Sequence, residues 1–90
     1  MAMTKAQAQH QIIIDKMKET IGYIRDAEKN EDVFYSAETI RNNMSEYFGG
    51  LAFALETITG KEYHWSNGTD GNTWALVIRE SGKEDKRLYI

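Results

Sequence analysis

Leu55-Glu56-Thr57-Ile58-Thr59-Gly60-Lys61-Glu62-Tyr63-His64-Trp65 is the stretch in which the apolar period of this 90-residue chain changes. Before Gly60, apolar residues recur every three or four positions, and after it they alternate. A period near 3.6 followed by a period of two predicts helices ahead of a sheet. Gly60 stands where a left-handed residue closes a helix, because only glycine adopts that conformation at no steric cost.

Working back from Gly60, Ile40, Met44, Tyr47, Phe48, Leu51, Leu55 and Ile58 form one stripe, which predicts a helix over about 36–59. Ser36 is its cap, with Tyr35 and Ile40 placed as a hydrophobic staple. Gly49-Gly50 interrupts the run at about 1 kcal/mol each relative to alanine, yet the apolar phase is unchanged across the pair. One continuous helix is therefore expected. The competing helix-turn-helix would use Leu51 to Thr57 as a recognition helix, and that segment has neither Arg nor Lys to contact phosphate or guanine.

Further back, His10, Ile13, Ile14, Met17, Ile21 and Ile24 mark the buried face of a helix over about 4–29, with Thr4 as its cap. Asp26 to Asp32 loses the period and reads as the fraying end of that helix followed by a solvated, acidic connecting loop. Gly22, Gly49 and Gly50 suit either a close approach of the two helices or a flexible point, since both follow from a missing Cβ.

Forward from Gly60, strands are expected over about 61–66, 73–79 and 86–90, joined by Ser66–Asn72 and by Ser81–Asp85. Trp74, Leu76 and Ile78 alternate with Ala75 and Val77, so the middle strand is apolar on both sides and belongs at the centre. If Tyr63, Trp65, Trp74, Leu76, Ile78, Leu88 and Ile90 pack on the helices, the outer face carries His64, Ala75, Val77, Arg79, Arg87 and Tyr89. The fold class is α+β: a two-helix hairpin followed by a three-stranded antiparallel meander, ordered α-α-β-β-β, in a single domain spanning 1–90. Met1-Ala2 precede a second start at Met3 and read as a cloning remnant.

Composition narrows the function classes. With no cysteine, there is no disulfide, thiolate-held metal or thiol nucleophile. At 41% hydrophobic residues the chain supplies a core, and a formal charge of −3 argues against affinity built on neutralising phosphates. Nucleic-acid binding is thus disfavoured. Neither a secretory signal nor a run of about 20 apolar residues is visible, so a cytoplasmic protein without a membrane span is expected.

No nucleotide, calcium or catalytic motif is present. His10 and His64 have no companion group in sequence, and no cofactor or metal is expected. The loop Ser66-Asn67-Gly68-Thr69-Asp70-Gly71-Asn72 is the most distinctive feature, although its residues are also those that turn chemistry requires.

These absences, with ten aromatic residues in so short a chain, favour a non-catalytic interaction module. Its partner is expected to be a larger protein, such as a host enzyme or a nucleic-acid-processing defence complex bound by a small bacterial or phage-type regulator. The bacterial or phage character is read by association from size and composition. Trp65, Trp74 and Tyr89 are the candidate anchors, and Asn67, Asp70 and Asn72 the candidate hydrogen-bonding residues. Replacing Asp70 and Asn72 by alanine is expected to weaken binding with little effect on stability. If the tryptophans are buried, the outer sheet face with His64, Arg79, Arg87 and Tyr89 takes their place. The alternative is a small-ligand site, for a nucleotide or metabolite, enclosed between subunits of an oligomer. A short chain with a two-sided middle strand favours a homodimer over a monomer.

Overall fold

A computed structural model describes residues 3–29 and 36–90. Its elements are α1 (Lys5–Lys29), α2 (Ala37–Thr59), β1 (Glu62–Ser66), β2 (Ala75–Arg79) and β3 (Lys86–Tyr89). The α-α-β-β-β order matches the change of period at Gly60.

Three helix ends have a local cause. The Thr4 hydroxyl accepts from Gln7 N–H at 3.1 Å while the Gln7 side chain accepts from Thr4 N–H at 2.9 Å, a reciprocal capping box. Ser36 Oγ accepts from Thr39 N–H at 3.2 Å to start α2. At the other end Gly60 turns left-handed, with φ 74°, and donates to the Glu56 carbonyl at 2.8 Å. The staple with Tyr35 and the acidic tip Asn30–Asp32 lie outside the described residues.

The Gly49-Gly50 pair does not break α2, so the helix-turn-helix reading is overturned. A Cβ at either glycine would meet no atom within 4 Å, and at Gly22 only the end of Arg25, at 3.9 Å. None of the three serves a close approach of helices. The pair is tolerated because the apolar stripe on both sides packs in one phase.

That stripe is narrower than expected. Met44, Phe48, Leu51 and Leu55 face the core, whereas Tyr47 and Ile58 are exposed on its flank. From α1 come Met17, Ile21 and Ile24, each fully buried. Burying an aliphatic side chain of this size contributes about 1.5–3 kcal/mol, so these positions carry much of the stability of so small a domain.

The sheet order is β1-β2-β3, both pairs antiparallel. Tyr63 faces Ile78, Trp65 faces Leu76, and Leu76 faces Leu88, which aligns these residues on the side packed against both helices. The alternate set forms the other side: His64, Val77 and Arg87 in one row, Ser66, Ala75 and Tyr89 in the next, Glu62 opposite Arg79. No described helix lies over that outer face. Ala75 and Val77 are nonetheless buried, each flanked by its two cross-strand neighbours.

Strand β2 begins at Ala75, two residues later than the alternation suggested. Thr73 N–H is taken by the Asn67 carbonyl at 2.9 Å and by the Asp70 carboxylate at 3.1 Å, which removes it from the ladder. Among the described residues no helix is long and apolar enough to cross a membrane.

Candidate functional site

The loop between β1 and β2 is built around one carboxylate. Asp70 Oδ1 accepts from Asn72 N–H at 2.9 Å and from Thr73 N–H at 3.1 Å, and the Thr73 hydroxyl sits 3.1 and 3.0 Å from its two oxygens. These donors favour the charged form, so hydrogen bonding from Asn72 and then Thr73 holds the carboxyl below the ordinary aspartate range. Gly68 closes the loop from the other side. With φ +73° and an imagined Cβ only 2.8 Å from that of Thr73, no side chain fits there.

A recess of about 460 Å3 opens where this loop meets the outer face of the sheet. Ser66, Gly68, Thr69, Asp70 and Thr73 form its loop side, and Arg87 and Tyr89 of β3 its sheet side. Tyr89 is 63% exposed, and Arg87 makes no ion pair among the described residues. The recess therefore combines an exposed aromatic ring, a cation and a braced wall of small polar residues.

The candidate residues divide into two groups. Asp70 and Tyr89 meet at the recess together with Arg87, and His64 lies beside Arg87 across Val77 on the same face. Trp65 and Trp74 do not join them. Trp74 is buried in the core, and Trp65 stacks on it with 5.6 Å between ring centroids and 11° between planes. As surface anchors the tryptophans are corrected by their register: the parity that puts Leu76 on the helices puts Trp65 and Trp74 there too.

Four polar candidates make hydrogen bonds within the protein, Asn67 through its backbone alone. Asn67 contributes its carbonyl, and Asn72 its N–H, to the loop itself. Asp70 is the loop's keystone, and these bonds argue that its removal costs stability as well as any contact it makes with a partner. Arg79 is clamped by Asp85 through two hydrogen bonds of 3.1 Å, which tie β2 to the following turn. That pairing moves Arg79 upward and Asp85 downward from their ordinary pKa values.

Sequence reasoning missed Arg41, which ion-pairs with Glu28 at 3.2 Å and lies 5.4 Å over the Trp65 ring. Ser66 belongs to the loop singled out in the sequence, but Thr73 was missed, since only the curl of the loop onto the sheet brings it beside β3. Among the described residues no three His, Asp or Glu side chains group closely enough to hold a metal ion. No protein-family model matches the chain, and no curated protein or solved structure matches it significantly.

Proposed function

We propose that this chain is a non-catalytic interaction module that binds a larger protein through the outer face of its sheet and the rim of the 66–73 loop. The observation that carries the reading is the open recess with Arg87 and exposed Tyr89 on one side and a braced loop on the other. Tyrosine and arginine are the side chains that most often dominate binding energy, and a rigid rim loses little entropy on association. Asp70, the one carboxylate in the recess, already accepts hydrogen bonds from the loop and is poorly placed to act as a base. His64 has Glu62 and Ser66 as its same-face neighbours on β1, but among the described residues it makes no hydrogen bond or ion pair with either, so no proton relay is assembled there. A homodimer would present this face twice.

Affinity capture from the native cell with tagged wild type, Arg87→Ala and Tyr89→Ala tests the reading. A partner held by wild type and lost from both variants, with unchanged melting, supports it; a partner indifferent to both substitutions sinks it. The recess volume lies within the range of about 300–1,000 Å3 typical of small-molecule sites, which favours ligand binding as the second reading. A rise in melting temperature with a nucleotide or metabolite panel, abolished by Arg87→Ala, would select it.

A further inference from the structure

Strand β3 is an edge of the sheet, and the direction of its backbone groups follows from one hydrogen bond. Ile90 N–H donates to the Trp74 carbonyl at 3.0 Å. In an antiparallel ladder, residues bonded to the neighbouring strand alternate with residues that are not. With Leu88 opposite Leu76 and Lys86 opposite Ile78, Ile90, Leu88 and Lys86 turn toward β2. Arg87 and Tyr89 therefore direct their N–H and C=O groups away from the sheet.

We infer that this edge pairs with the same edge of a second copy, antiparallel about a twofold axis at Leu88, to give one continuous six-stranded sheet. In that register Arg87 of each copy forms a hydrogen-bonded pair with Tyr89 of the other, so the outward backbone groups of both residues are satisfied. Charge selects the register. Centring the axis on Arg87 would set two guanidinium groups opposite each other, whereas centring it on Leu88 sets each guanidinium beside a tyrosine ring.

On the inner face the same axis brings Leu88 against Leu88. The helices pack chiefly on β1 and β2, leaving β3 the least covered strand, with Leu88 and Ile90 only half-buried. A second copy covers them. It also brings its Tyr89 against Arg87, the cation of the recess, so each recess gains a residue from its twin. This inference does not rest on the identity of any captured partner.

Light scattering and sedimentation of the full chain test it. Wild type is expected to be a dimer. Tyr89→Lys sets like charges opposite each other twice per dimer and should raise the dissociation constant about tenfold or more. Combining it with Arg87→Glu replaces the repulsion by two cross-strand ion pairs and should restore the dimer. Tyr89→Pro removes the outward N–H together with the ring while leaving the bonds of Leu88 and Ile90 to β2 in place, and should give a monomer by scattering that circular dichroism still finds folded. A monomeric wild type at all accessible concentrations, or a dimer unaffected by Tyr89→Lys, would overturn the inference, whatever happens to partner capture.

Discussion

Trp65 lies parallel to Trp74, and Arg41 reaches over the Trp65 ring from α2, so the start of the second helix is joined to the first hairpin of the sheet through stacked π surfaces. The geometry spreads one binding energy over three residues of unequal burial. Trp74 is 5% exposed, Trp65 is half-buried and the Arg41 side chain is 48% exposed.

Truncating these residues should therefore give a graded series in urea denaturation. Trp74→Ala opens a core cavity and is expected to cost about 3–5 kcal/mol, a large part of the stability of a domain this small. Trp65→Ala should cost less, while Arg41→Ala should lose about 1 kcal/mol, mainly the cation–π contact. Equal effects at all three positions would contradict the burial order.

Alanine at Gly49 or Gly50 should stabilise the protein. Both positions are helical and open to solvent, so the substitution gains helix propensity without a clash. About 0.4–1 kcal/mol each is expected, which for a domain of this length raises the melting temperature by several degrees. The same change at Gly68 should lower it, because φ is positive there and the new methyl group would press on Thr73.

Acid should loosen the two turns of the sheet first. Asp70 and Asp85 are both depressed in the folded state, the first by Asn72 and Thr73, the second by Arg79. The unfolded chain therefore binds their protons more readily. Their contribution is fully present above the unfolded aspartate value of about 3.9 and is lost as pH falls through the lower folded values. Asp70→Asn and Asp85→Asn should melt below wild type at neutral pH and converge with it in strong acid.

Asp70→Ala and Asn72→Ala should separate, although they are neighbours in one loop. Removing the Asp70 carboxylate leaves the Asn72 backbone N–H and the Thr73 hydroxyl without their acceptor, whereas Asn72→Ala keeps its backbone bond to Asp70. Faster amide exchange across 68–73 in Asp70→Ala alone is the expected outcome.

The architecture was legible because its signals are local. Gly60 ends one period and begins another, and Thr4, Ser36 and Gly60 act on residues within four positions of themselves. The limits of the α2 stripe were not legible, since Tyr47 and Ile58 lie near its edge and helical phase alone does not say where the neighbouring helix ends. For the candidate site, Arg87 and Tyr89 follow from strand parity. Their meeting with Ser66 and Thr73 depends on a carboxylate choosing acceptor roles inside its own loop, which composition does not reveal.

The meander order of the sheet has a kinetic consequence. Hairpin β1-β2, hairpin β2-β3 and the helix pair each join elements adjacent in the chain, and among the described residues the packing of α1 on β2 is the main contact between elements distant in sequence. Closing that contact is the entropically costly step, so the transition state should be organised around Ile21 and Leu76. Truncation at these two positions would slow refolding, whereas weakening the Arg79–Asp85 clamp would chiefly hasten unfolding.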